Sequence, residues 1–222
     1  MFWTAATVGC FTRNVGFARN IEGDRATLGP LINLLGLPGT VLSLVLAHAA
    51  AVVRANARLG LISPSDAEHV VSRHSADSLM FAVLRQPRPG ERWLDVGSGA
   101  GFPGMALACC FPRSSFTLLE PLKRRAGFLE LTAADLGLSN VTVDARRIEE
   151  LPAMAFEVAV ARALSSPDQA LRAMIAKVVP GGAAIVAVGP DAAGTPDGAI
   201  VGVEVPGDVD SPGLFSMMTR EG

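Results

Sequence analysis

The stretch Leu94-Asp95-Val96-Gly97-Ser98-Gly99-Ala100-Gly101-Phe102-Pro103-Gly104 decides the fold. Trp93 to Val96 reads as a short buried strand, and it passes directly into a turn carrying four glycines. Glycine reaches backbone conformations closed to other residues, and a glycine-rich turn at the end of a first strand lets a ligand approach the main chain closely. The same junction is where a parallel α/β sheet opens its binding crevice.

Outward from this turn the texture is regular. After Pro87-Arg88-Pro89-Gly90, short apolar runs alternate with helical stretches, the pattern of βαβ units and a parallel sheet covered on both faces. The strands are expected at Trp93 to Val96, Ser115 to Glu120, Val141 to Asp144, Glu157 to Ala161 and Ala183 to Val188. Two more, near Ala199 to Val205 and Gly213 to Met218, would complete a seven-stranded sheet. The clearest helix runs from Pro121 to Leu136, with proline in its first turn and Gly137 just past its end. The fold class expected is therefore α/β: a Rossmann-like, mostly parallel sheet of about seven strands with an N-terminal helical extension. In that division residues 1–86 are the extension and 87–222 the ligand-binding domain.

The extension is expected to hold helices at about Thr40 to Leu59 and Pro64 to Leu84, the second capped by Ser63 or Ser65. Met1 to about Gly29 shows no strong period and is expected to be poorly ordered. Leu31 to Val53 contains no Asp, Glu, Lys or Arg over 23 residues, long enough for a membrane span. Leu37-Pro38-Gly39 interrupts it, which favours a core-facing helix over a span. No basic segment with a small-residue cleavage site precedes it, against a secretory signal.

Spacing inside the turn separates two ligand classes. A dinucleotide fingerprint G-x-G-x-x-G needs its third glycine at position 102, where Phe102 stands. The observed G-x-G-x-G, with Asp95 ahead of Gly97, Gly99 and Gly101, suits S-adenosylmethionine, which lacks a pyrophosphate and presents an amine and a carboxylate beside the loop. A glycine string alone is weak evidence, but Glu120 ends the second strand 19 positions after Gly101. A carboxylate there can accept both ribose hydroxyls. Its alternative role, an acid stabilising a helix start, does not account for that distance. On the third strand's exit, Ile148 can pack on an adenine ring and Glu149 accept from its exocyclic amine, although Arg146 to Glu150 taken alone is a solvated charge run.

Other constellations exclude chemistry more than they suggest it. His74 and Asp77 share a helix face, but no G-x-S-x-G nucleophile accompanies them. Cys10, Cys109 and Cys110 lack the paired spacing of a zinc site, so no metal is expected. Unpaired thiols fit a cytoplasmic location. A net charge of −2 argues against strong non-specific attraction to nucleic acid.

Five ordered motifs resemble a known family. They are Arg73-His74-Ser75-Ala76-Asp77-Ser78, the glycine turn itself, Leu118-Leu119-Glu120-Pro121 with basic residues behind it, Arg147-Ile148-Glu149-Glu150, and Ala161-Arg162-Ala163. Together they resemble the RsmG family, also called glucose-inhibited division protein B, bacterial enzymes that methylate guanine N7 in small-subunit ribosomal RNA. The resemblance covers about Ser63 to Gly189. It implies that Gly97, Phe102, Ile148, Glu149 and Arg162 contact S-adenosylmethionine, with Arg162 also the candidate catalytic residue. Family members usually carry Lys-Gly after the fifth strand and Asn-Leu-Thr before the second helix; Val188-Gly189 and Gly60-Leu61-Ile62 stand here.

The partner implied is 16S ribosomal RNA or a small-subunit precursor, bound by a monomer without a membrane. Arg85, Arg88, Arg92, Lys123, Arg124 and Arg125 are the candidate phosphate contacts. A small-molecule methyltransferase and a non-catalytic S-adenosylmethionine-binding module are the alternatives.

Overall fold

The computed structural model describes residues 21–162, 166–189, 199–203 and 213–221. Cys10, Ala163 and the expected strand end at Val205 lie outside these, as do the first twenty residues of the stretch expected to be irregular.

Seven strands form one sheet in the order β3-β2-β1-β4-β5-β7-β6. They are β1 (Arg92–Val96), β2 (Ser115–Leu119), β3 (Val141–Asp144), β4 (Phe156–Ala161), β5 (Val178–Val188), β6 (Ala199–Val203) and β7 (Gly213–Thr219). Strands β1 to β5 pair in parallel, and β7 runs antiparallel between β5 and β6. The order reverses at β1, between β2 and β4, which places the crevice for a ligand beyond the carboxyl ends of these strands.

Alternation along the strands sorts the core into two layers. Trp93, Phe116, Leu118, Val158, Val160, Ile185 and Phe215 face one side. There they meet α1 (Ile21–Leu34), α2 (Val41–Leu59), α3 (Ala76–Leu84), α4 (Gly104–Cys110) and α5 (Lys123–Asp135). Leu94, Leu119, Ala159, Ala161, Ala184 and Val186 face the other side, against Leu171 and Met174 of α6 (Pro167–Ile175). Each fully buried leucine or valine contributes about 1.5–3 kcal/mol. The helical extension therefore shares the larger core with the sheet.

Four local outcomes differ from the sequence reading. Helix α5 begins at Lys123 rather than Pro121, because Leu122 is still extended, so the proline lies before the first turn. Residues 21–29, expected to be irregular, begin α1, which continues through Pro30. The expected helix from Pro64 to Leu84 is broken into a 3₁₀ turn at Pro64–Asp66, a π-helical turn at Val70–Ser75, and α3. Ser63 does cap the first piece: its Oγ accepts from the Asp66 N–H at 3.2 Å and donates to the Asp66 carboxylate at 2.7 Å. Strand β5 starts five residues earlier than Ala183, because Gly181 at φ +78° and Gly182 carry it through a register shift against β4.

Helix α2 is long and apolar enough to cross a membrane by length and composition. Here its stripe of Val41, Val45, His48, Ala49, Val52 and Ala55 is buried in the larger core. Thr40 precedes it without making a side-chain cap, and Gly60, left-handed at φ 57°, closes it on the Asn56 carbonyl. Cys109 and Cys110 are buried free thiols in α4, and burial pushes Cys110 up to about 12.

Candidate functional site

The glycine turn leaves β1 at positive φ on Gly97 (72°), Gly99 (54°) and Gly101 (93°), conformations that favour glycine. Two of its glycines are pressed against the protein. A Cβ on Gly101 would lie 2.8 Å from both His48 Nε2 and Met105 Cβ, and one on Gly104 would lie 2.4 Å from Leu118 Cδ2 and 2.7 Å from Asp95. A Cβ on Gly99 would come no nearer than 3.8 Å, to the Gly97 carbonyl oxygen. The turn is thus packed at its far end and open at Gly99.

Glu120 closes the open side. It directly follows β2, is 3% exposed, and its Oε2 accepts from the Gly99 N–H at 2.9 Å while Oε1 accepts from the Leu122 N–H at 2.9 Å. One carboxylate therefore joins the turn to the start of α5, and each oxygen retains a further lone pair. Asp95 sits differently. Its Oδ2 accepts from the Gly104 N–H at 2.9 Å, its Oδ1 is buried without a partner, and burial pushes its carboxyl up to about 6. It fastens α4 to β1 from beneath.

Phe102 is 4% exposed and lies between two imidazoles. Ring centroids are 4.6 Å away for His48 and 5.2 Å for His74, and the Arg162 guanidinium carbon is 5.6 Å from the phenyl centroid. Residues from α2, the π-helical turn and the end of β4 thus converge on one ring. His48 Nε2 bonds the Ala100 carbonyl oxygen at 2.9 Å, so this nitrogen carries the proton and Nδ1, buried without a partner, does not. Burial lowers its pKa to about 4.

Arg162 is held from three directions. Its Nη1 donates to Asp77 Oδ2 at 3.3 Å and to the Arg73 carbonyl oxygen at 3.4 Å, and its Nη2 meets His74 Nδ1. Arginine can only donate, so Nδ1 accepts and the His74 proton resides on Nε2, which faces Asp66 Oδ2 at 3.7 Å. Burial, then the Arg162 charge, lowers His74 to about 4. Burial raises the Asp77 carboxyl while Arg162 opposes that shift. The π-helical turn brings His74 and Asp77, three residues apart, to one guanidinium.

Ile148 and Glu149 form a 3₁₀ turn after β3; Ile148 packs on the smaller core, Glu149 is exposed, and both border a small cleft with Ala173, Ala176 and Lys177. Among the described residues no group of His, Cys, Asp or Glu is placed to hold a metal ion.

The six basic residues expected to meet phosphate separate into two sets, and one set needs correction. Arg92 opens β1 and pairs with Glu157 at 2.6 Å, Arg85 pairs with Glu91 at 2.5 Å, and Arg88 lies in the same approach to β1. These three sit at the amino edge of the sheet. A five-residue strand, about 16 Å long, separates them from the glycine turn. Lys123, Arg124 and Arg125 open α5 at the carboxyl edge, beside Glu120.

His48 was not among the expected site residues. The signal available was a single histidine on the apolar stripe of α2, a pattern that a satisfied core histidine produces equally well.

Known proteins resemble this chain in both sequence and fold. Residues 42–193 match the GidB family model, described as rRNA small subunit methyltransferase G. Three relatives carry the name ribosomal RNA small subunit methyltransferase G. The one from Cellvibrio japonicus is 38% identical over 57% of this chain and 59% of its own length. The one from Wolinella succinogenes is 45% identical over 46% and 51%, and the one from Chlorobaculum tepidum 30% identical over 67% and 70%. The chain thus spans between half and three fifths of the first two relatives. A crystal structure of a SAM dependent methyltransferase from Aquifex aeolicus superposes with a TM-score of 0.52 at 18% identity, covering 72% of this chain and 96% of that one, and supports the fold. By the family match over most of its length, this chain belongs to the GidB family of rRNA small subunit methyltransferase G.

Proposed function

We propose that this chain transfers a methyl group from S-adenosylmethionine to guanine N7 in 16S ribosomal RNA, in the cytoplasm. The observation that carries the proposal is Glu120, a buried carboxylate bonded to the N–H of Gly99, where the turn leaves room for a side chain, in a chain of this family.

When bound, S-adenosylmethionine supplies an electrophilic sulfonium methyl. The residues present fit such a group: Gly99 leaves space beside the backbone, and Glu120 has lone pairs for two ribose hydroxyls. Gly97 and Gly99 would line the cofactor, Ile148 would flank the adenine, and Glu149 would accept from its amine. Asp95, Gly101 and Phe102 serve the same seat from inside, by fixing the shape of the turn. Arg162 would present its remaining N–H groups to the cofactor or the base edge from a guanidinium already oriented by His74 and Asp77.

Guanine N7 carries an unshared lone pair. Attack from it needs no general base, so the residues have only to orient the acceptor and exclude water. This agrees with a buried His48 and a half-buried His74 that are both held neutral, and with the lack of a nucleophile motif.

The test uses small-subunit ribosomal RNA from a strain lacking the endogenous enzyme. Incubation with this chain and labelled S-adenosylmethionine should label one guanine, and N7 methylation should make that site cleavable by borohydride and aniline. Tight cofactor binding with no label in any RNA fraction would replace this reading with a small-molecule acceptor.

A further inference from the structure

We infer that the end of α2 and the start of α5 form one basic ridge that docks the phosphate backbone of the RNA acceptor. The inference rests on the RNA-methyltransferase reading above and gives that site its docking surface. Side chains lock the two helix ends together: Arg124 Nη2 donates to the Arg58 carbonyl oxygen at 3.1 Å, and Arg125 Nη2 to that of Gly60 at 3.1 Å. Arg54 and Arg58, one helical turn apart, are exposed and project away from the buried stripe of Val45, Val52 and Ala55. Lys123 and Arg124 are exposed beside them. Five cations thus share one ridge.

Among the described residues no carboxylate pairs with it. The sequence has no Asp or Glu between Asp24 and Asp66, and none between Glu120 and Glu130. Among the described residues none of the five cations forms an ion pair, whereas Arg73, Arg85, Arg92, Arg146 and Arg162 each face a carboxylate. In a chain whose net charge is −2, this acid-free cluster stands apart. Helix stability does not account for it, because Lys123, Arg124 and Arg125 occupy the first turn of α5, where the macrodipole disfavours cations. Arg124 and Arg125 recover part of that loss at the carbonyls ending α2; Lys123 does not.

Position identifies the ligand. The ridge continues through Leu122, 56% exposed, whose N–H bonds Glu120. A phosphate held on Lys123 would therefore place the flanking base at the carboxyl edge of the sheet, next to the open glycine. An anionic bilayer would also attract these charges, but the apolar stripe that α2 would need for it is buried.

The test replaces Arg54→Gln together with Arg58→Gln, whose side chains bond nothing among the described residues. Binding of a 16S ribosomal RNA transcript is measured from roughly 50 to 300 mM KCl, with S-adenosylhomocysteine affinity and Tm as controls. The double variant should bind RNA about tenfold more weakly at 0.1 M salt, with the slope of log K against log salt smaller by about 1 to 2. The controls should not change. Unchanged RNA affinity and slope, in a preparation whose wild type binds and methylates RNA, would overturn the ridge alone. A wild type that binds no RNA would overturn the acceptor reading and the ridge with it. Loss of binding to phosphatidylglycerol vesicles, with RNA binding intact, would assign the ridge to a membrane and also overturn the inference.

Discussion

Gly99 and Gly101 stand two residues apart in one turn, both at positive φ, yet a methyl group on each would meet different surroundings. At Gly101 it would strike His48 and Met105; at Gly99 it would make only an ordinary contact, 3.8 Å from the Gly97 carbonyl oxygen. The same residue type thus serves two purposes. Gly101 lets α2 and α4 close on the turn, and Gly99 leaves the backbone reachable from outside. The packed half, with Asp95, Phe102 and His48, holds the geometry of the open half, where Gly99 meets Glu120.

The largest effect should come from breaking the packed half. Gly101→Ala forces a Cβ into contacts of 2.8 Å and adds the strain of φ 93°. Together these should destabilise the fold by about 3 kcal/mol, lowering Tm by roughly 10 °C in a domain of this size. Thermal unfolding followed by circular dichroism checks this, and an unchanged Tm would mean that the turn is not packed as described.

Acid should act on the same half. His48 and His74 are held neutral with pKa values near 4, below the usual 6.5, so stability is fully present above pH 6.5 and is lost as pH falls toward 4. Each contributes up to roughly 3 kcal/mol over that window. Asp95, raised to about 6, acts with the opposite sign: its contribution is present below pH 3.8 and lost as pH rises through 6. Asp77, also raised, acts with Asp95, but the carboxyls of Asp66, Glu91, Asp144 and Glu157 are all held below their usual values by hydrogen bonds and act with the histidines, so Tm should fall between pH 6.5 and 4. In His48→Gln, whose amide can still donate to the Ala100 carbonyl, the fall should be shallower; an identical pH profile would contradict a buried neutral His48.

A smaller effect should sharpen the comparison at Arg162. His74→Phe keeps a ring against Phe102 but removes the acceptor for the guanidinium, and kcat should fall about tenfold with little change in KM for RNA. His74→Asn, which restores an acceptor near the Nδ1 position, should recover most of that loss. Equal losses in both variants would indicate that only packing mattered.

Much of this was legible in the sequence, for physical reasons. The strands are short apolar runs in a sheet covered on both faces, and β3 falls at the expected residues. The place of Glu120 beside the turn was visible because it ends the second strand, 19 positions after Gly101, at the carboxyl edge of the sheet. Strand β5 was read too short because Pro180-Gly181-Gly182 resembles a turn, whereas the sheet passes through it as a bulge. The π-helical turn was not legible, since its apolar spacing matches an ordinary helix and His74 and Asp77, three residues apart, would share a face in either. Nor did composition distinguish Arg92, tied to Glu157 at the far edge, from Lys123 at the near one.

The central claim is that the open half of the turn, with Glu120, seats the cofactor, and calorimetric titration with S-adenosylhomocysteine tests it most directly. Gly99→Leu, which takes the strain of φ 54° but no close contact at Cβ, should lower Tm by only a few degrees, less than Gly101→Ala, and show no measurable binding. Glu120→Ala should bind about tenfold more weakly than the wild type, as expected for loss of a charged acceptor contributing about 1.5–3 kcal/mol. If both folded variants titrate with the wild-type dissociation constant, the cofactor sits elsewhere and the account of this turn is wrong.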